Sequence, residues 1–243
     1  MLRVRQTLHA AIWAFRLLAR KNYPVELDFI KQFLTPSDIC FDVGAHSGIW
    51  SYPLSKIVSE VYAFEALPYY SKVLAATMKL LHAKNVTVVN RAVSDREGNI
   101  NLVWRDGSGQ TLTGFTHIEA NNEPQAGRVS IATLTLDSLV SGGDFEGKRV
   151  AFIKCDVEGY ECHVVDGARR LIERWRPVIF AEAKDEWFLR YGKTSKDLIE
   201  VMESFDYSSN VFGPSGSLQE VTATTYSGAG DILFRPAKPA AHA

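Results

Sequence analysis

The sequence has little of what marks specialised chain classes. It has only three cysteines, Cys40, Cys155 and Cys162, an odd number that builds no disulfide framework. Two of them sit in apolar runs, where reduced core thiols are expected, and this favours a reducing compartment. No apolar run approaches the roughly eighteen residues of a membrane-spanning helix. Neither sign of charge is in excess. With 27 basic and 28 acidic residues the net charge is −1, so no global field draws the chain to nucleic acid. The 17 glycines and 9 prolines are too few and scattered for a collagen-like or low-complexity chain of 243 residues. No internal repeat is visible. What remains is a globular composition, 46% hydrophobic and 23% charged. A cytoplasmic protein is expected, or one peripheral at the inner membrane surface if a local basic patch hides in the neutral total.

The first twenty residues carry such a patch. Arg3 and Arg5 precede the apolar stretch Leu8–Phe15, but Arg16, Arg20 and Lys21 interrupt it and no small-x-small cleavage site follows. That disfavours a signal peptide. Helical spacing puts Val4, Leu8, Ile12, Phe15 and Ala19 on one face, with His9, Trp13, Arg16 and Arg20 on the other. Such a helix can pack on the rest of the chain or on a second subunit of a homodimer. Alternatively it offers a basic, Trp-bearing surface to anionic lipid or a lipid-linked substrate. The organisation expected is a helical extension over residues 1–30, one domain over 31–236 and a frayed tail over 237–243.

From residue 38, short β-rich runs alternate with helical patterns, the signature of an α/β fold with a mostly parallel sheet and helices on both faces. Strands are expected at 38–43, 60–64, 86–89, 99–104, 129–134, 149–157, 177–181, 207–212 and 231–234. A helix over 47–59 contains Pro53, which removes a backbone donor and should kink or delay it. The next starts at Pro68 and turns Val73, Leu74, Thr77, Leu80 and Leu81 inward. A third is expected over 160–173. A fourth follows the capping pattern Thr194-x-x-Asp197. Residues 105–128 are polar and Gly-rich, and a loop this long within a domain reads as a substrate-side insertion.

Three stretches carry chemistry. Asp42-Val-Gly-Ala-His-Ser-Gly48 joins a strand to a helix, and its glycines let the backbone turn sharply against a ligand. His46 and Ile49 stand where a dinucleotide-binding G-x-G-x-x-G needs glycine, and no Gly-Lys-Ser/Thr follows, so neither a nicotinamide dehydrogenase nor a P-loop is indicated. Asp42 would repel phosphate and welcome a cationic ligand. Glu65 follows Gly44 by 21 residues, near the offset at which an acid meets ribose hydroxyls in nucleotide-binding sheets. Two acids at adjacent strand tips suit a positively charged nucleoside such as S-adenosylmethionine. In Phe152-Ile-Lys-Cys-Asp-Val-Glu-Gly159 a buried strand delivers Asp156 and Glu158 to the same edge, where they can act as a base, hold a hydroxyl or share a divalent cation. The plainer alternative has Glu158 capping the next helix and Asp156 orienting the cofactor. Cys155 should face the core. Trp104, Phe115 and Trp187 suit an acceptor pocket or core packing equally, and His117 and His163 lack partners at metal-ligand spacing.

The motifs DVGAHSG (42–48), YAFEALP (62–68), NRAVSD (90–95), TLTLDSL (133–139), FIKCDVEGYE (152–161) and RPVIFAE (176–182), in this order, resemble the FkbM-type S-adenosylmethionine-dependent methyltransferases. The resemblance implies a class I methyltransferase (Rossmann-like) sheet, usually of seven strands with the last antiparallel, and O-methylation of a sugar, glycan or natural-product hydroxyl. It implies that Asp42, Gly44, Ala45 and Gly48 surround the methionine part of the cofactor and Glu65 takes the ribose. Ala66 and the turn around Ala92 lie near the adenine, while Asp156 and Glu158 face the methyl group and acceptor. S-adenosylhomocysteine is then the product. Glu182, at the next strand tip, is expected as a supporting acid, and no metal site is predicted. The family commonly has Asn at His46 and Pro at Ala66; the first change suggests a locally satisfied turn residue and the second a looser loop. A non-catalytic binding protein that retains the fold is the rival reading.

Overall fold

The computed structural model describes residues 2–19, 23–103, 117–118, 128–213 and 216–237. Twelve strands appear among them: β1 (Ile39–Val43), β2 (Glu60–Phe64), β3 (Val86–Val89), β4 (Ala92–Val93), β5 (Gly98–Val103), β6 (His117–Ile118), β7 (Arg128–Leu134), β8 (Val150–Cys155), β9 (Val178–Glu182), β10 (Tyr207–Phe212), β11 (Leu218–Val221) and β12 (Asp231–Pro236). Eight form one sheet in the order β11-β10-β12-β9-β8-β1-β2-β3. β12 runs antiparallel to both its neighbours, and β11 runs antiparallel to β10. The seven strands implied by the resemblance are therefore present, with β12 the antiparallel one. β11 is an eighth, added at the edge by a hairpin. Its residues are only half-buried or exposed and lack the alternation that marks a strand in sequence.

β1, β8 and β9 are buried along their whole length, as parallel strands covered on both faces must be. Their side chains alternate. Ile39, Phe41 and Val43 join Ile153, Cys155, Ile179 and Phe234 in one core, closed by the helices Glu161–Asp166, Arg169–Trp175 and Ser195–Ser204. Cys40, Phe152 and Phe180 face the opposite core with Leu27, Ile30 and Leu54. Cys155 thus lies in the core, where burial pushes its thiol pKa far up, and it is no nucleophile.

The helices follow their local signals with two departures in length, and Leu80, expected to face inward with Val73, Leu74 and Thr77, is instead 51% exposed. Pro68 opens the helix Pro68–Leu80, and the Thr194–Asp197 capping box opens Ser195–Ser204. The 47–59 helix shrinks to Ser51–Leu54 around Pro53. The 160–173 helix is broken at Gly167, because its backbone passes so close to Ser94 that a Cβ there would lie 2.0 Å from the Ser94 carbonyl oxygen.

A second sheet, in the order β4-β7-β5-β6, stands beside the carboxyl end of β2 and covers Leu67 and Tyr70 with Leu102 and Ile131. Most of the 105–128 insertion, with Trp104 and Phe115, lies outside the described residues, as does the tail from 238. The N-terminal helix, Leu2–Leu18, packs on Pro68–Leu80, but not through the expected face. Ala10, Ala14 and Leu17 are buried, whereas Val4, Leu8, Ile12 and Phe15 are exposed. Small side chains at Ala10 and Ala14 let the two helices approach closely, and Leu17 packs with Leu74 and Met78.

Candidate active site

The chain leaves β1 toward β2 on one side, while β8 lies on the other, so a crevice opens between the carboxyl ends of β1 and β8. A cavity of about 460 Å³ occupies it. Asp42, Gly44, Ala45, Glu65, Ala66, Ala92, Asp156 and Glu158 all line this cavity. Two expected residues do not. Gly48 faces the helix Pro68–Leu80, where a Cβ would come within 2.8 Å of Leu74 and closer to Met78, so its role is packing. Glu182 stands behind the wall, yet its carboxylate lies within 4.8 Å of those of Asp156 and Glu158.

The turn after β1 is built by close approach. Gly44 has φ +84°, and a Cβ on it would sit 1.8 Å from the Asp156 carbonyl oxygen, so only glycine lets the two strand tips meet. The Gly44 and Ala45 amides donate to the Phe64 carbonyl at 3.0 and 2.9 Å. His46 takes φ +45°, a left-handed conformation that Asn and His tolerate better than most residues, which explains why either type suits this turn. Its amide donates to Glu65 Oε2 at 2.9 Å, and its ring lies 4.5 Å from that of Tyr70. Burial lowers the His46 pKa, and the imidazole is a neutral packing group.

Glu65 also accepts from the Leu67 amide at 2.8 Å, so both its oxygens are oriented, and burial raises its pKa to about 7. The loop at Ala66 is not loose. Asn90 Nδ2 donates to the carbonyls of Glu65 and Ala66, each at 2.8 Å, replacing by hydrogen bonds the rigidity of the absent proline. Asp42 is raised to about 6 by burial and accepts from Ser51 Oγ.

Across the cavity, Asp156 Oδ2 lies 3.4 Å from Lys154 Nζ. Lys154 is 3% exposed and was not anticipated from sequence, although a lysine inside an otherwise apolar strand is itself a signal. Burial penalises its charge, but the carboxylates of Asp156, Asp231 and Glu182 override this and raise its pKa. Glu182 Oε1 accepts from Lys184 Nζ at 2.6 Å. Two carboxylates about 5 Å apart repel by about 3 kcal/mol at an effective dielectric of 20, or roughly two pKa units. Burial, then Glu182 and Asp156, accordingly push Glu158 up to about 8, so it holds a proton at neutral pH. Glu158 does not cap the following helix. Trp187 lies outside the cavity wall, its ring under Arg190, and His163 stacks on Tyr160.

Glu161 is a further acid that sequence reasoning passed over. It is fully buried, accepts from the Val157 amide at 2.8 Å and leaves Oε2 without a partner, so it stabilises the 156–159 turn from beneath. Burial raises its pKa from 4.5 to about 8. The native chain therefore binds more protons than the unfolded chain across that window, and stability falls as pH rises through it. Glu161→Gln, which mimics the protonated acid, should flatten the decline in melting temperature between about pH 5 and pH 9. Parallel melting curves for the two proteins across that range would show that Glu161 carries no such linkage.

The Methyltransferase FkbM domain profile matches residues 42–209, more than half the chain. The chain belongs to the FkbM methyltransferase family. Among solved structures it is similar to methyltransferase FkbM from Methylobacillus flagellatus KT, at 17% identity and TM-score 0.51 over 83% of this chain. It spans only 44% of that protein. It is also similar to SMU.1697c from Streptococcus mutans, crystallised in complex with SAH, at 11% identity and TM-score 0.50, covering 87% of this chain and 97% of that one. At these identities the likeness concerns the fold, which is that of class I methyltransferases. No curated protein matches the chain. The cavity fits the cofactor of the FkbM family, S-adenosylmethionine: buried acids at two strand ends, Asp42 and Glu65, and half-buried Asp156 at a third suit its cationic groups, and the Gly44 turn leaves the backbone bare beside them. No helix among the described residues is long and apolar enough to cross a membrane.

Proposed function

We propose that this FkbM-family methyltransferase methylates a hydroxyl oxygen of a sugar, glycan or natural-product acceptor. The observation that carries the reading is the grouping of Asp156, Glu158 and Glu182 within 4.8 Å of one another, the first two lining the cavity that Gly44 and Glu65 also line and the third behind them. When bound, S-adenosylmethionine supplies an electrophilic methyl group and leaves as S-adenosylhomocysteine. Asp42, Gly44 and Ala45 would hold its methionine part, Glu65 its ribose, and Ala66 and Ala92 its adenine. Sulfonium chemistry builds the electrophile into the cofactor, so the protein must align the acceptor and receive its proton. Asp156 is the base, and Lys154 holds its carboxylate in place. Protonated Glu158 donates a hydrogen bond to the acceptor, and Glu182 raises its proton affinity from behind. Lys154 and Lys184 already sit against two of the three acids, and the reading assigns no metal.

The test is a screen of hydroxylated acceptors with methyl-labelled cofactor, the product analysed for a methyl ether. Label on a hydroxyl oxygen together with S-adenosylhomocysteine is the expected result. Label recovered on nitrogen or carbon overturns the O-methyl assignment. A chain that is thermally stabilised by the cofactor yet turns over none of the acceptors is the binding-protein alternative.

A further inference from the structure

The N-terminal helix buries Ala10, Ala14 and Leu17 against Pro68–Leu80 and turns five other large apolar side chains to solvent. Val4 is 72% exposed, Leu8 63%, Ile12 43%, Phe15 71% and Leu18 63%. At 100° per residue these five fall within one continuous stripe outside the buried face, and Arg5 and Arg16 border it on one edge. A contiguous apolar surface of this kind marks an interaction site rather than scattered surface hydrophobicity.

The charge around the stripe identifies the partner. Residues 1–25 contain Arg3, Arg5, Arg16, Arg20 and Lys21 and no acid; the first carboxylate is Glu26. Two copies meeting through this helix would bring basic borders together with no acid on either helix to compensate. An anionic lipid surface satisfies both features at once: the stripe enters the acyl boundary while the arginines extend to the phosphates. The helix is too short and too charged to span.

We propose that the helix Leu2–Leu18 lies in the interface of an anionic membrane. Its inner face then ties that surface to the cavity. Trp13 meets the His46 ring edge-on at 6.1 Å and His9 meets Tyr70 at 6.0 Å, and both His46 and Tyr70 line the cavity. The lipid boundary lies about one helix diameter, roughly 10 Å, from the cofactor turn.

The test is co-sedimentation of the full chain with vesicles of phosphatidylcholine and phosphatidylglycerol in equal parts, against pure phosphatidylcholine. Partitioning should be at least about tenfold stronger on the anionic vesicles and weaken with salt. Arg5→Glu/Arg16→Glu and Leu8→Glu/Phe15→Glu should each lose it by at least about tenfold while still binding S-adenosylmethionine, which shows that the domain remains folded. Equal partitioning on both vesicles, or binding unaffected by the charge reversal, overturns the proposal. So does a solution dimer that ignores vesicles and that Leu8→Glu/Phe15→Glu dissociates, since the stripe would then belong to a second copy. Methyl transfer is not measured in any arm, so the outcome is independent of the acceptor chemistry.

Discussion

Replacing Asp156 by asparagine should lower turnover by about 10²–10⁴-fold, the range over which a positioned acid or base contributes to a proton-coupled step. Asparagine keeps the size of the side chain and accepts no proton. The Asp156 amide still donates to the Val43 carbonyl at 2.9 Å, so the strand tip stays in place. Cofactor affinity, measured by titration calorimetry, should change only a few-fold, placing the loss in kcat rather than in binding. If turnover stays within about twofold of the parent, another group receives the proton and the assignment of the base is wrong.

Gly44→Ala should have the largest effect on the scaffold. The added methyl would lie 1.8 Å from the Asp156 carbonyl oxygen at φ +84°, so β1 and β8 must separate or the turn must reorganise. Left-handed strain of about 1–2 kcal/mol adds to an overpacking cost of about 1–3 kcal/mol. For a chain of this size the sum is expected to lower the melting temperature by roughly 5–15 °C. Cofactor binding should fall below detection, because the displaced segment carries Ala45 and the amide of His46 that orients Glu65. Gly192→Ala is the control. Gly192 has φ +65° but open space around its Cβ position, so it should show the strain alone, about 1–2 kcal/mol. Equal melting losses for the two variants would mean that the meeting of the strand tips is unimportant.

The two variants probe features of different legibility. Gly44, Glu65 and Asp156 were visible because each follows directly on a largely apolar strand, and strand ends are well marked where most positions are buried. Gly48 looked identical in kind to Gly44, and only the seat of the helix Pro68–Leu80 separates a packing glycine from a cavity-lining one. Glu161 reads in sequence as an ordinary first-turn acid, whereas the fold buries it completely beneath the turn.

By itself the sequence determined nine of the twelve described strands, all but β4, β6 and β11, the family, and the three loops that meet at the cavity. Those are local matters, settled by periodicity, by glycine and proline, and by the residue types at strand ends. Tertiary structure alone decided that Lys154 is the counter-charge of Asp156 and that the second sheet walls the cavity with Ile100 and Leu102. It also decided that the N-terminal helix buries Ala10, Ala14 and Leu17 and shows Val4, Leu8, Ile12, Phe15 and Leu18. Each of these depends on which surface meets which across long stretches of chain. A helical or strand pattern states that a face is apolar, but what covers that face depends on the shape of its neighbour.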